Sequence, residues 1–214
     1  MVSNINFLLV GNSRLHWAKY SQNQSKFFHT KKEQKVPENI DLDQLIWASV
    51  GKLPSFLLKE ENEIKTKDIR LSNLPDYFGV DRALASLAAL KIIANPLKKD
   101  LLIADFGTIL SITKLNPNGS IIGGQLIPGF LTQLKSMEQN TKNLKVPQKY
   151  EIPTKNFLIN TEESILKGVI NSLTGVINSS FNPLEDILIT CGGDSEFLTK
   201  SLKNQKKILS MPLI

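Results

Sequence analysis

The stretch LLIADFGTILSITKLNPNGSIIGGQLIPG, residues 101–129, decides the fold of this chain. It contains three apolar runs separated by two short polar turns, which predicts three strands joined as a meander. The first run ends at Asp105, and Gly107 and Thr108 follow in the first turn. The second turn, residues 116–119, has the sequence Asn-Pro-Asn-Gly, a strong turn signal. A carboxylate, a glycine and a hydroxyl in one turn suit a phosphate group or a metal–phosphate complex.

The same plan occurs near the start of the chain. Residues 5–10 form an apolar run, a glycine-led polar turn follows, and two further strands are expected up to residue 29. Residues 5–29 and 101–125 therefore share one order of strands and turns. The repeat predicts two lobes of related construction, each with a turn that faces phosphate. Crossover helices between the meanders make the predicted fold class α/β, with one lobe in residues 1–95 and the other in residues 96–214.

The composition narrows the class of protein. The chain has 214 residues, 41% of them hydrophobic, one cysteine and a net charge of +6. A single cysteine excludes an internal disulfide, and the apolar runs are far shorter than the ~20 residues that span a bilayer. The lysines are spread along the chain among acidic residues, without an arginine-rich arm. We therefore expect a cytoplasmic protein that binds neither nucleic acid nor membrane.

A clear helix begins in the segment Gly79-Val80-Asp81-Arg82, where apolar residues start to recur at helical spacing. Asp81 lies at the start of this helix, and its simplest role there is that of an N-cap. Arg82 would then be a solvated charge. Arginine is rare in this chain, however, with three residues against 23 lysines. An arginine in such a sequence is favoured where its planar fork is needed.

Further elements follow the central stretch. A helix is expected from Phe130 to about Gln139, then a polar loop in residues 142–156. A second helix begins at Thr161, with acidic residues in its first turn. A buried strand then leads to Gly192-Gly193 and another helix, an order that suits contact with a nucleotide.

Taken in chain order, these motifs resemble the type III pantothenate kinases of the acetate and sugar kinase, Hsc70 and actin superfamily. The resemblance covers nearly the whole chain, and five motifs in the right order are specific. It implies a two-lobed, actin-like (ribonuclease H-like) duplicated fold with a nucleotide cleft between the lobes. The motifs are Gly79-x-Asp81-Arg82, Asp105-x-Gly107-Thr108, Gly123-Gly124 with Ile127-Pro128-Gly129, Thr161 with Ile165 and Gly168, and Gly192-Gly193-Asp194.

The resemblance also implies an activity. The family transfers a phosphoryl group from ATP to the primary hydroxyl of pantothenate, which gives 4'-phosphopantothenate in the first step of coenzyme A biosynthesis. The implied cofactors are Mg²⁺ with the ATP and a monovalent cation, K⁺ or NH₄⁺. The implied assembly is a homodimer with the active site near the subunit contact.

The resemblance assigns the family's site residues to the matching positions of this chain. Asp81 matches the proton acceptor of the family, and Asp105 matches the ligand of the monovalent cation. The expected substrate-binding residues are Tyr77 (a nearby aromatic), Gly79, Val80, Asp81, Arg82 and Thr161. The expected ATP-binding residues are Leu9, Val10, Gly11, Asn12, Ser13, Arg14, Leu15, His16, Thr108, Gly192 and Gly193.

The first loop departs from the family pattern Asp-x-Gly-Asn-Thr-x-x-Lys. Leu9 replaces the acid and His16 replaces the lysine, whereas Asn12 and Ser13 keep polar groups for phosphate. The loss of the acid puts Mg²⁺ binding at this loop in question. Arg14 is the candidate for the missing positive charge, and His16 is expected to be a half-buried strand histidine.

Two other functions stay open at this point. One is a degenerate, non-catalytic nucleotide-binding or regulatory protein on the same fold, for which Leu9 argues. The other is a kinase of another small alcohol, which the pocket residues would decide. The two intact motifs around Asp81 and Asp105 favour an active pantothenate kinase.

Overall fold

The computed structural model describes residues 5–22, 24–38, 40–57, 60–93, 98–202 and 208–210. These residues form two compact units. Of the described residues, the first unit holds those up to 93 together with 118–121, and the second holds 98–117 and those from 122 onwards. The predicted lobe boundary at residues 95 and 96 lies outside the described residues and stays a prediction.

The first unit is built on a four-stranded sheet with the strand order β3-β2-β1-β4. β1 is antiparallel to β2 and parallel to β4, and β2 is antiparallel to β3. The helix α1, Val80–Ile92, follows the sheet in the chain. The strands are β1 (Ile5–Val10), β2 (Arg14–Ser21), β3 (Gln24–Lys31) and β4 (Leu45–Ser49).

Both faces of this sheet carry apolar side chains, because successive residues of a strand point to opposite sides. Leu8 and Val10 of β1 lie in one core cluster with Trp17 and Trp47. Leu9, which lies between them in the chain, belongs to a second cluster with residues of α1. The helix is therefore packed against the face of the sheet that carries Leu9.

The second unit is built on a five-stranded sheet with the order β7-β6-β5-β8-β9. β5 is antiparallel to β6 and parallel to β8, and β8 is parallel to β9. The strands are β5 (Asp100–Phe106), β6 (Ile109–Leu115), β7 (Ile121–Pro128), β8 (Asp186–Cys191) and β9 (Ile208–Ser210). The helices are α2 (Phe130–Asn140), α3 (Thr161–Ser180) and α4 (Ser195–Thr199).

The core of the second unit joins α2, α3 and α4 to one face of the sheet. α3 buries a stripe of apolar residues at helical spacing, and the predicted start at Thr161 is confirmed. Its N-cap is Asn160, whose side chain accepts the backbone N–H of Glu163 at 3.1 Å. Among the described residues, no helix combines the length and the apolar character needed to cross a membrane.

The two sheets repeat one topology. In each, the first strand of the meander lies between the second strand, which is antiparallel, and a later strand, which is parallel. Leu9 and Asp105 take the same place in this repeat, since each is the last residue but one of its first strand. The α/β class and the repeated strand plan are thus confirmed. The units differ in the connection that follows the meander. In the second unit, α2 and α3 lie between β7 and β8. In the first unit, the described residues between β3 and β4 include only one helical segment, the 3-10 turn Leu42–Gln44.

Candidate active site

The start of α1 places a carboxylate where the chain turns into the helix. Gly79 is the N-cap, so Asp81 is not, and the simplest interpretation of Asp81 is wrong. Its Oδ1 atom accepts the backbone N–H of Arg82 at 2.7 Å. A Cβ atom placed on Gly79 would lie 2.7 Å from this oxygen. Glycine at position 79 therefore leaves the space that the carboxylate occupies.

The surroundings of Asp81 in the fold favour the protonated form of its carboxyl group more than bulk water would. Burial raises the pKa of Asp81 above its usual value of 3.8, although the N–H and the positive charge of Arg82 oppose the shift. A carboxylate with a raised pKa accepts a proton more readily. Asp81 is thus suited to the role of proton acceptor.

Arg82 is not the solvated charge that the simplest interpretation predicted. It is half-buried, and its guanidinium carbon lies 4.0 Å from the ring centroid of Phe78. Burial lowers the pKa of Arg82, while the charge of Asp81 raises it. A cation in the first turn of a helix is opposed by the helix dipole. The position of Arg82 is therefore not explained by the stability of α1.

The other predicted substrate contacts of the first unit differ in exposure. The side chain of Val80 is buried in the cluster that contains Leu9, so any contact with a ligand would use its backbone. Tyr77 is 92% exposed. Its place beside a substrate stays a prediction.

The first loop is the turn between β1 and β2. Gly11 N donates to Arg14 O at 3.0 Å, and the side chains of Asn12, Ser13 and Arg14 are exposed. Leu9, Val10 and Leu15 are buried, which leaves their backbone for any ligand. A Cβ atom on Gly51, after β4, would lie 2.2 Å from Gly11 O. Glycine at position 51 thus allows the segment after β4 to pack against this turn.

Leu9 lies in surroundings that suit an apolar side chain. It is 7% exposed and packs with Ala48, Ile69, Val80 and Ala83. The loop residues 9–16 contain no carboxylate. Within the described ranges, no group of three or more histidine, cysteine, aspartate or glutamate side chains is placed to hold a metal ion. The first loop therefore does not fit Mg²⁺, which takes oxygen ligands that include carboxylates.

His16 lies opposite His29 across β2 and β3, and their Nδ1 atoms are 2.9 Å apart. His16 is half-buried, as predicted. Burial lowers its pKa from 6.5 to about 4, with smaller contributions from His29 and Arg14. His16 is therefore neutral at neutral pH and does not supply the charge of the lysine that it replaces.

The low pKa of His16 predicts a loss of stability in acid. Between pH 6.5 and about 4 the unfolded chain binds a proton at His16 that the folded chain does not, so stability falls as the pH falls through this range. We expect the urea midpoint to drop between pH 7 and pH 5 by more in the wild type than in His16→Gln. Equal drops in the two proteins would show that His16 does not titrate in this way.

In the second unit, the turn after β5 is held by the start of α2. Gly129 N donates to Thr108 O at 2.9 Å, and the hydroxyl of Thr132 donates to the same oxygen at 2.6 Å. A Cβ atom on Gly129 would lie 2.0 Å from Gly107 O. The turn and the helix therefore meet through backbone atoms at a position where only glycine fits. The side chain of Thr108 is exposed.

The turn after β8 packs against the end of β5, close to Asp105. Gly192 has φ +95°, and a Cβ atom there would lie 2.5 Å from both N and O of Phe106 and 2.6 Å from Oδ1 of Asp105. Gly193, in contrast, has no atom within 4 Å of such a Cβ. The structure thus brings Asp105, the 107–108 turn and Gly192 together. The carboxylate of Asp105, whose Oδ1 atom is buried, and the backbone carbonyl groups beside it are oxygen ligands of the kind that fit a monovalent cation.

Thr161 is the exposed first residue of α3, directly after the N-cap.

Two residues that contribute to the site could not be identified from the sequence. One is Phe78, which directly precedes the N-cap of α1, so the helical spacing rule does not apply to its contact with Arg82. The other is Gly129, whose packing against Gly107 depends on the fold of the chain.

Comparison with known proteins agrees with the sequence motifs. The family model described as type III pantothenate kinase matches residues 36–182. A type III pantothenate kinase of Synechocystis sp. is 30% identical, over 95% of this chain and 83% of its own length. One of Flavobacterium psychrophilum is 32% identical, over 91% of this chain and 89% of its own.

A solved structure supports the fold. It is described as a conserved Baf family transcriptional activator from Campylobacter jejuni, and it aligns with a TM-score of 0.65 at 17% identity over 97% of this chain and 91% of that one. This likeness concerns the fold alone, and it agrees with the duplicated α/β fold expected for the actin-like superfamily. The family model and the two sequence relatives lead to one conclusion. The chain belongs to the type III pantothenate kinase family.

Proposed function

We propose that this chain transfers the terminal phosphoryl group of ATP to the primary hydroxyl of pantothenate. The product is 4'-phosphopantothenate, and the reaction is the first step of coenzyme A biosynthesis. The observation that carries the proposal is the family match over residues 36–182, which includes both Asp81 and Asp105. The properties of Asp81 and the arrangement around Asp105 support it.

Asp81 is the proposed base. In phosphoryl transfer the protein mainly positions groups and balances charge, and a carboxylate within reach of the hydroxyl takes its proton as the new bond forms. The hydrogen bond from Arg82 N holds the orientation of the Asp81 carboxylate. Arg82 presents a planar guanidinium that suits a carboxylate or a phosphate. Gly79, Val80, Tyr77 and Thr161 are the further proposed contacts of pantothenate.

Each unit has its own proposed ATP contacts. In the first unit they are the exposed polar groups of residues 12–14 and the backbone of the remaining loop residues. In the second unit they are Thr108 and the Gly192-Gly193 turn, which the open space around Gly193 leaves accessible. Asp105 is the proposed ligand of K⁺ or NH₄⁺, and such a cation would offset the negative charge of the phosphates.

Other features follow from the family rather than from the described contacts. We propose a homodimer, a cytoplasmic location and ATP used together with Mg²⁺. Because the first loop lacks a carboxylate, Arg14 is the proposed source of positive charge there. No residue of the loop is assigned as a Mg²⁺ ligand.

The role of Asp105 gives a direct prediction. Asp105→Asn should abolish the activation by K⁺ or NH₄⁺, or raise the concentration of cation that is needed at least tenfold, because it removes the charged ligand. The measurement is the rate against K⁺ concentration at constant ionic strength. Asp100→Asn, which alters a carboxylate at the other end of β5, is the matched control. A cation response in Asp105→Asn equal to that of the wild type would contradict the assignment.

A coupled assay of ADP release tests the function itself. Pantothenate should support turnover in the presence of ATP, Mg²⁺ and K⁺, and other small alcohols should not. Turnover of another alcohol alone would indicate a kinase of different specificity. Binding of ATP without turnover of any acceptor would indicate a degenerate nucleotide-binding protein.

A further inference from the structure

The ring of Phe78 and the guanidinium of Arg82 form a cation–π stack beside Asp81. The guanidinium carbon lies 4.0 Å from the ring centroid. Phe78 directly precedes the N-cap of α1, and Arg82 lies in the first turn. The stack therefore ties the arginine side chain to the segment that leads into the helix.

The Phe78 side of the stack is held by its own contacts. Phe78 N donates to Pro75 O at 3.0 Å, and Phe78 O accepts the hydroxyl of Thr66 at 2.7 Å. Thr66 is buried and belongs to the 3-10 turn Thr66–Asp68. The ring itself packs against the cluster that contains Leu9. The ring is thus a fixed surface on which a flexible arginine can be ordered.

Arg82 needs such a surface. An arginine side chain loses much rotamer freedom when it is ordered, and both the helix dipole and burial oppose its charge at this position. A guanidinium that is ordered in advance binds a carboxylate with a smaller entropy loss. The stack contributes to this order through the face of the ring and does not itself use the hydrogen-bond donors of the guanidinium.

We propose that Phe78 is a positioning residue that holds Arg82 for the carboxylate of the acceptor. Phe78 acts through Arg82, and it sets the preference for an acceptor that carries a carboxylate over one that does not. The proposal rests on the proposed function, because it assumes that pantothenate is the acceptor.

The test compares Phe78→Leu with Phe78→Tyr on two acceptors, pantothenate and its alcohol analogue pantothenol, in which a hydroxymethyl group replaces the carboxylate. Phe78→Leu keeps apolar bulk and loses the ring, whereas Phe78→Tyr keeps the ring. We expect Phe78→Leu to raise the KM for pantothenate roughly tenfold, with kcat within about twofold of the wild type and the KM for pantothenol unchanged. Phe78→Tyr should resemble the wild type for both acceptors.

A second readout needs no substrate. The chain has three arginines, so the guanidinium Nε–H signals in an NMR spectrum are few and can be assigned by substitution. The ring current of Phe78 should shift the Arg82 signal in the wild type and in Phe78→Tyr, and the shift should be lost in Phe78→Leu.

The possible outcomes distinguish the role of Phe78 from the proposed function. If the wild type is active and Phe78→Leu keeps both its KM for pantothenate and its preference over pantothenol, the role of Phe78 is overturned and the function stands. An Arg82 signal that does not change in Phe78→Leu would overturn the stack as the ordering contact. If the wild type phosphorylates neither acceptor, the proposed function fails and the role of Phe78 fails with it.

Discussion

Replacing Asp81 with asparagine is expected to lower kcat by about 10²- to 10⁴-fold, the range for the loss of a general base. Asparagine has nearly the same shape, and its Oδ1 atom can still accept the backbone N–H of Arg82. Substrate affinity should therefore change much less than the rate. The measurement is the steady-state rate of ADP release with pantothenate.

The same substitution should not destabilise the protein. Burial raises the pKa of Asp81, which means that the fold penalises the charged form at neutral pH. Asparagine removes this penalty, so the urea midpoint at pH 7 should be equal to or higher than that of the wild type. Asp76→Asn is the control, because it removes the same charge from an exposed side chain in the same unit. Its rate should stay within about twofold of the wild-type rate. A rate for Asp81→Asn above a tenth of the wild-type rate would rule out Asp81 as the base.

The second large effect is expected at Gly192. Gly192→Ala places a Cβ atom 2.5 Å from the backbone of Phe106 and forces alanine into a left-handed conformation at φ +95°. The left-handed backbone and the overlap together should cost about 2–4 kcal/mol of unfolding free energy. Since Oδ1 of Asp105 is 2.6 Å from the same position, the cation response should weaken as well. Urea denaturation and the K⁺ titration measure the two effects.

Gly193→Ala is the matched control for stability, because a Cβ atom there meets no atom within 4 Å. It should change the unfolding free energy by less than about 1 kcal/mol. If the two alanine variants were equally stable, the close contact between Gly192 and the strand that carries Asp105 would not exist in solution.

The repeated topology could be predicted from the sequence because local signals define it. Apolar runs and the turn residues at 116–119 mark the meander, and the run at residues 5–10 marks its first copy. The helix that begins at residue 80 has a clear apolar period as well. The roles of Asp81 and Asp105 are predicted from the family motifs.

The environment of the site residues could not be predicted in the same way, because it depends on packing between distant segments. The sequence does not reveal that Leu9 is enclosed by α1, which follows it by some seventy residues. The pairing of His16 with His29 depends on the register of β2 and β3, and a slip of one residue would separate the two rings. The simplest role for Asp81 at the start of its helix is that of an N-cap, whereas Gly79 takes that place in the structure.

The most direct test of the assigned function is the detection of the product. The purified chain is incubated with ATP, Mg²⁺, K⁺ and pantothenate, and 4'-phosphopantothenate and ADP are quantified by mass spectrometry. The account predicts equal amounts of the two products from the wild type and a loss of at least a hundredfold in Asp81→Asn. ADP without phosphopantothenate, or no product from a folded wild type that binds ATP, would contradict it.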